Sequence, residues 1–479
     1  MATFGNIAAT RGCCAKPAGG GYWRRSRMYV DLLSVSVIER LRKSTHMVKN
    51  RIPVCHVAVY LCNVTCLTFN NMKAIKEKIN RIIGLDMHPD VFTAAALEKT
   101  TADLSKVLWV QERLPTASLE DWAKKHLHDG DLLVLEASGN SFEVASRFHA
   151  LGYTCLVLES YQASKIKENF CNDDKSSSIK LARVYLSGLA KIVWQPDEKT
   201  RQMRDVLFTH RAAVKDCTRL RNRIRTYLNE HCVRLPKGTP LTQQKGLEKA
   251  LSLHSWSSLQ VGLITDTFKQ LWQTEARRKR LEELMVEQLL ERPEWAKLWR
   301  LMGVRHIVAF ALMAMIGDVH RFPTAKKLVG YFGLSPRKEQ SGNNAKGYER
   351  GIGNTGRGDV RALLTQAAQN ALAQRTSPLH KWGWKLAVKK NRNIAVAAVA
   401  RKLTIAIWHL LKGHFTPLLD LDKHLETKLM KIATLLGKEA LKESGFQNRN
   451  EFIQHYFKKM ASSRIPANSM SVCLELCYP

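Results

Sequence analysis

Two sets of residues in this chain have types and spacing suited to phosphate chemistry. The first is a series of carboxylates: Asp86 ends an apolar run at residues 81–86 (RIIGLD), Glu136 ends a second at 131–136 (DLLVLE), and Asp173 with Asp174 opens an amphipathic segment. A carboxylate where a buried strand meets its loop is fixed by the sheet yet open to solvent, which suits a hard cation. Oxygen ligands favour Mg²⁺ or Mn²⁺, ions that activate a nucleophile and stabilise a leaving oxygen in phosphoryl transfer. The second set lies at residues 330–364, GYFGLSPRKEQSGNNAKGYERGIGNTGRGDVRALL, a polar stretch between two helix-like segments. Its glycines let the backbone approach a ligand closely, and Arg337, Lys338, Lys346, Arg350, Arg357 and Arg361 supply charge for nucleic-acid phosphates. Ser341 stands at its centre, between Gln340 and Gly342. Taken alone, such a stretch also reads as an ordinary solvated basic loop.

Composition selects the partner. A formal net charge of +33, from 75 Lys+Arg against 42 Asp+Glu, draws polyanions and makes nucleic acid the expected ligand. The 45% apolar content and 11 tryptophans argue for packed domains over a disordered polycation. The 11 cysteines form no CxxC pair and read as reduced thiols of a cytosolic protein. Cys62 with Cys66, and Cys473 with Cys477, have CxxxC spacing, but no His pair at finger-like spacing accompanies them, so a zinc site is not expected. Residues 1–71 read as an atypical extension. Their apolar stretch at 54–69 is short for a membrane span and carries His56, Asn63 and Thr65, and Met72 is the expected natural start.

The elements that must position these residues follow from periodicity. The runs at 81–86 and 131–136, with a third at 153–159 (YTCLVLE), are strand-like, and helical patterns separate the last two. A helical insert follows. Met203, Val206, His210, Ala213, Cys217, Leu220, Ile224 and Tyr227 have the 3-4 spacing of a coiled-coil seam, and a second helical region near 259–290 contains Ile264, Phe268, Leu271, Leu281, Leu284 and Leu289. Pro236, Gly238 and Pro240 mark the turn between them. The two helices form either a dimerising hairpin or a pair packed within the monomer. The expected fold class is α/β plus α, with a catalytic domain at 72–195, a helical hairpin at 196–295, a mainly helical serine-bearing domain at 296–460 and a tail at 461–479.

The motifs IIGLDMH, LLVLEASG and NDDKSSSIKLA, followed by GDVHRFPTAKKLVGYFGLSPRKEQSG and GIGNTGRGDVRALL, resemble in order and spacing the insertion-sequence 110 family of transposases, which includes relatives of the Piv invertase. The resemblance covers roughly residues 80–190 and 298–375, and the combination is more specific than any single piece. It implies a RuvC-like domain of RNase H fold with a DEDD carboxylate set, and a C-terminal domain with a catalytic serine. Position by position, the first acid is Asp86, the second Glu136, the third Asp174 and the nucleophile Ser341. The fourth acid departs from the pattern, because alignment on Leu181 and Ala182 puts Ser177 and Ser178 there. Either metal affinity is reduced, or the site is rebuilt with Asp173, or this copy is inactive. A second departure lies at 302–309 (MGVRHIVA), where relatives tend to have another glycine two residues after the first.

The resemblance further implies DNA as substrate, a structured noncoding RNA encoded by the element as guide, Mg²⁺ or Mn²⁺ as cofactor, and a homodimer or tetramer in the bacterial cytoplasm at the nucleoid. The serine and the carboxylates are then expected to act together, in one chain or between protomers. Four other functions compete. A RuvC-like nuclease would use the carboxylates and water and leave Ser341 dispensable, a Piv-like site-specific invertase is another alternative, and a nucleic-acid-binding remnant would need neither site. A tyrosine recombinase is a weaker rival, resting on an HxxR match at His231 and Arg234; Tyr348 is the alternative nucleophile near Ser341.

Overall fold

The computed structural model describes residues 79–99, 106–160, 173–339, 348–353, 355–414 and 422–461. The chain divides into two compact units between Val193 and Trp194. In the first, five strands form one mixed sheet in the order β3-β2-β1-β4-β5. They are β1 (Arg81–Met87), β2 (Val91–Glu98), β3 (Val107–Pro115), β4 (Asp131–Glu136) and β5 (Thr154–Leu158). The first three pair antiparallel as a meander, while β4 and β5 extend the sheet in parallel from β1. Parallel neighbours need a crossover, and helix α2 (Ser141–Ala150) supplies it between β4 and β5; α1 (Leu119–His126) leads into β4. This is the expected mixed sheet of an RNase H-like fold. β2 carries no strong strand signal, because VFTAAALE is rich in alanine, a residue depleted in strands.

Side chains alternate across the sheet with period two. Ile83 and Leu85 of β1 and Leu133 and Leu135 of β4 join a core with Leu119, Trp122 and Phe148. Ile82, Leu132 and Val134 join the opposite core, closed by Leu181 and Ala182 of α3 (Asp174–Leu186). At the start of β1 and β4 a bidentate pair fixes the register: Arg81 Nε donates to Asp131 Oδ1 at 2.8 Å and Nη2 to Oδ2 at 2.5 Å. Arg81 stands opposite Asp131 and Leu85 opposite Leu135, so Asp86 and Glu136 follow side by side.

The second unit is mainly helical. Helices α4 (Glu198–Glu230) and α6 (Ser258–Leu290) are joined through α5 (Gln244–Ser252). Asp197 caps α4 by accepting from the Thr200 amide, and Ser257 with Gln260 forms a capping box on α6, which fixes both starts. The two run antiparallel: His210 meets Glu282, Arg221 meets Glu275 and His231 meets Gln260. The expected seam shifts at three positions. Leu207 and Leu228 are buried where Val206 and Tyr227 were expected, and Leu284 is exposed while Met285 and Val286 are buried. A 3.6-residue helix drifts away from a strict heptad over this length. The seam is consumed within the chain, since Cys217, Leu220, Ile224 and Leu228 share a core with Ile264, Phe268 and Leu271.

Helix α7 (His306–Ile316) is apolar on all sides, and residues 308–316 are buried along their whole length. Met203, Leu207, Met285 and Leu289 pack into the same core as α7, so the helical insert and the C-terminal helices form one body. Around them lie α8 (Ala325–Tyr331), α9 (Gly358–Ala373), α10 (Pro378–Lys389), α11 (Arg392–Leu411), α12 (Asp422–Glu443) and α13 (Arg449–Ala461). Among the described residues α11 alone has the length and apolar composition of a membrane span; its Val399, Leu403 and Ile407 are buried in this helical core. The antiparallel hairpin β6 (Pro336–Glu339) and β7 (Tyr348–Ile352) projects between α8 and α9 in sequence. The expectations for residues 1–71 and for Cys473 and Cys477 fall outside the described residues.

Candidate active site

Position 84 decides where the carboxylates meet. A Cβ on Gly84 would lie 1.9 Å from the Ser178 carbonyl oxygen and 3.1 Å from the Ala182 nitrogen, so α3 crosses directly on β1 at a point where only glycine fits. Gly84 shares the α3 side of the sheet with Ile82, and by alternation Asp86 does too. Glu136 follows Leu132 and Val134 on that same side. The N-terminus of α3 is thereby brought over the end of β1. Asp86, His88 and Asp174 each offer a ligand atom there, and these atoms all lie within 4.8 Å of one another. His88 Nε2 stands 3.5 Å from Asp174 Oδ1, with both side chains about half exposed (50% and 51%).

The adjacent expected residues are placed as follows. Glu136 lies on the neighbouring strand, outside the three-residue set. Asp173 is the N-cap of α3: Oδ1 accepts from the Ser176 amide at 2.7 Å. Hydrogen bonds from the Ser176 hydroxyl and then its amide hold the Asp173 carboxyl below the usual carboxylate range. Ser177 is half-buried one turn along from Asp174, and Ser178 is fully buried with its hydroxyl donating to the Lys175 carbonyl at 2.8 Å. Ser178 is therefore committed to the helix it sits on. His88 is the residue that the carboxylate pattern missed. Its signal is the Asp-x-His spacing at the end of β1, which has meaning only once Asp174 is known to stand opposite.

Two carboxylates and an imidazole fit a divalent cation. Donors bonded to one ion at about 2.0–2.2 Å lie no more than about 4.4 Å apart, close to the spread seen here. Carboxylate oxygen suits Mg²⁺ or Mn²⁺, and an added imidazole favours Mn²⁺ over Mg²⁺.

In the helical unit, Ser341 and Lys346 belong to the connection at 340–347, outside the described residues. Arg337 and Arg350 stand opposite each other in the hairpin register, Lys338 opposite Glu349, and Tyr348 opposite Glu339. Arg361 ties the hairpin's root, its Nη1 reaching the carbonyls of Gly333 at 3.3 Å, Gly353 at 3.2 Å and Thr355 at 2.9 Å. Arg357 Nη2 pairs with Asp359 at 2.7 Å. Gly303, in the MGVRHIVA segment, has φ 72 and packs on α9, where a Cβ would lie 2.2 Å from the Ala367 carbonyl. His231 of the HxxR match is used between helices: Nδ1 lies 2.9 Å from the Tyr227 carbonyl and Nε2 3.0 Å from Gln260.

Residues 83–233 match a transposase family of the DEDD type of IS110 elements, and residues 296–382 match the transposase family IS116/IS110/IS902. The transposase y4qE of Sinorhizobium fredii is 23% identical over 310 residues, 58% of this chain and 74% of that protein. The transposase for insertion sequence element IS1111A of Coxiella burnetii is 23% identical over 346 residues, 71% of this chain and 91% of that protein. A family 20 transposase of Pseudomonas aeruginosa is 24% identical over 340 residues, 69% of this chain and 96% of that protein. The DEDD-type match implies use of a divalent cation, which the donor set at the end of β1 suits. With one match on the sheet that carries the carboxylates and the other on the helices that flank the hairpin, the chain belongs to the IS110 family of transposases, enzymes that act on DNA.

Proposed function

We propose that this transposase moves an insertion sequence by strand exchange, with Ser341 as nucleophile, a divalent cation held by Asp86, Glu136 and Asp174, and a structured RNA of the element directing the target. The observation that carries the reading is the convergence of Asp86, His88 and Asp174 within 4.8 Å at the end of β1. Mg²⁺ or Mn²⁺ bound there would act as a Lewis acid toward phosphate oxygen and ease loss of a hydroxyl proton. The carboxylates of Asp86 and Asp174 would neutralise that charge, Ser177 is the neutral replacement for a fourth acid, and His88 would complete the ligand set through an imidazole nitrogen.

In this reading Ser341 Oγ attacks a DNA phosphodiester. An Oγ–P bond forms, the P–O bond to one strand breaks, and the proton lost by the serine ends on the departing hydroxyl. The phosphoserine link conserves the bond energy, so a hydroxyl of the other strand reverses the step without ATP. Arg337, Lys338, Lys346, Arg350 and Arg357 supply charge for the DNA backbone, and the working assembly is a homodimer or tetramer at the nucleoid.

The test incubates the protein with Mn²⁺ or Mg²⁺, the flanking RNA and labelled element-end and target DNA, and reads a denaturant-resistant protein–DNA adduct. The expected result is an adduct with the unaltered protein and with Tyr348→Phe, none with Ser341→Ala, and target joining only with the RNA present. Cleavage without an adduct would replace the serine mechanism with metal-dependent hydrolysis. DNA binding with neither product, where a relative with all four acids gives both, would make this copy a binding remnant.

A further inference from the structure

Three arginines distant in sequence converge on the C-terminal end of α7. Arg204 Nε donates to the Ala314 carbonyl at 3.0 Å, Arg321 Nη2 donates to the Met315 carbonyl at 2.8 Å, and the Tyr331 hydroxyl donates to that same carbonyl at 3.2 Å. Arg357 Nη2 lies 3.0 Å from Met315 Sδ. Carbonyls at a helix end need donors, and a cation there is favoured by a helix charge of about −0.5. That demand is smaller than the charge assembled to meet it. Asp359 takes both Arg357 at 2.7 Å and Arg211 at 3.3 Å, whereas among the described residues no carboxylate pairs with Arg204 or Arg321. Arg321 Nε is buried with no hydrogen-bond partner.

The guanidiniums are also stacked. Arg321 lies 4.1 Å from the centroid of the Trp194 ring, 4.5 Å from Phe322 and 4.8 Å from Tyr331, and Arg204 lies 5.5 Å from the same Trp194 ring. The rings hold Arg321 in place, and beyond its Nη2–Met315 bond it keeps further donors that a phosphate oxygen can take. Burial pushes the Arg321 guanidinium below its ordinary pKa, against attraction from Tyr331 and then Asp318, with repulsion from Arg357 the smallest contribution. Burial and the charges of Arg357 and Arg321 do the same to Arg204, against Tyr331 and Asp359. An arginine stays charged regardless, so both guanidiniums are held as partly desolvated cations.

We propose that Arg204, Arg321 and Arg357, on the platform of Trp194, form a binding site for one phosphodiester of a nucleic-acid strand at the root of the β6–β7 hairpin. The position follows from the backbone: the Arg357 amide donates to the Tyr331 carbonyl at 3.0 Å, where the chain enters and leaves the hairpin. Arg204 and Arg321 lie outside the basic loop and join it only through the fold. The site rests on the chain's handling of nucleic acid and is independent of the chemistry assigned to Ser341.

The test measures binding of labelled duplex DNA and of single-stranded RNA of equal length across a salt series, for the full chain, Arg204→Gln, Arg321→Lys and, as an exposed control on α6, Lys269→Gln. For the strand that occupies the site, Arg204→Gln is expected to lower affinity about tenfold and to reduce the slope of log affinity against log salt by about 1. Arg321→Lys keeps the charge and loses the fork, so its slope holds while affinity falls several-fold. Lys269→Gln leaves affinity within twofold. Thermal melting with and without the oligonucleotide accompanies each variant; should Arg204→Gln fail to fold, Arg321→Lys decides. Variants that lose melting temperature yet bind as Lys269→Gln does would overturn the site and leave the arginines as helix caps. A full chain that bound neither strand would overturn the site together with the nucleic-acid reading.

Discussion

Two adjacent aspartates at the start of α3 do different work. Asp173 turns back to cap the helix through the Ser176 amide, and Asp174, one residue on, meets Asp86 and His88. The division has a physical basis: an N-cap side chain must bend toward the helix's own amides, which frees the next carboxylate to point away. His88→Ala is expected to weaken Mn²⁺ binding by at least about tenfold, the scale for losing even an outer-shell partner, with Asp173→Ser leaving it near the original value because serine caps as well. Titration followed by manganese electron paramagnetic resonance checks both, and an unchanged affinity in His88→Ala would remove the imidazole from the ligand set. A second residue-scale device lies between α4 and α6. Glu282, 7% exposed, is approached by His210 at 3.1 Å and His306 at 3.8 Å and bonded to Arg278. Burial pushes its pKa up, but the hydrogen bond from His210, the nearby His306 and the charge of Arg278 outweigh burial and bring it to about 2. The folded pKa is depressed, so this stabilisation is present in full above the unfolded value near 4.5. It is lost as pH falls from there through about 2. Glu282→Gln should cost about 3 kcal/mol at neutral pH, as for a broken buried pair, and should flatten the acid limb of a denaturation profile over that window.

At the scale of elements, the contact between α3 and β1 sets the geometry of the cluster of Asp86, His88 and Asp174. Gly84→Ala places a methyl carbon where the Ser178 carbonyl oxygen now lies, 1.9 Å from the ideal Cβ, and backbone cannot swing aside as a flexible side chain does. The expected cost is about 1–3 kcal/mol from overpacking, read by denaturant unfolding. Because α3 must move to relieve the clash, Mn²⁺ affinity should fall in the same variant. Retained Mn²⁺ affinity would mean that the cluster does not depend on this crossing. The sequence makes Gly84 visible only as an interruption in an apolar run. What it accommodates is a helix that begins 90 residues later, and no local pattern encodes that. The helical hairpin shows the converse: a Pro/Gly turn and apolar periodicity make α6 legible to within a residue or so and α4 over 203–227, while the caps at Asp197 and Ser257 fix where the two helices start. The partner of their seam was open, and packing settled it by burying Ile224 and Leu228 against Ile264 and Phe268.

For the molecule as a whole, charge governs how it meets its substrate. A net charge of +33 predicts that log affinity for DNA falls linearly with log salt. If about 6–10 phosphates are contacted, affinity should drop about 10³–10⁵-fold between 50 and 200 mM salt; a shallow slope in anisotropy titrations would show that the excess charge lies away from the DNA. By itself the sequence determined the class of partner, three of the five strands, the carboxylates Asp86, Glu136 and Asp174 at strand and helix ends, and the helices of the insert. These follow from composition, periodicity and caps, which act over a few residues. Only the tertiary structure decided that His88 stands beside Asp174, that Ser178 is buried beneath Gly84, and that Arg204 and Arg321 share Trp194 beside Arg357. Such groupings depend on distances between residues tens to more than a hundred positions apart, and the packing of strands, helices and helix ends sets those distances.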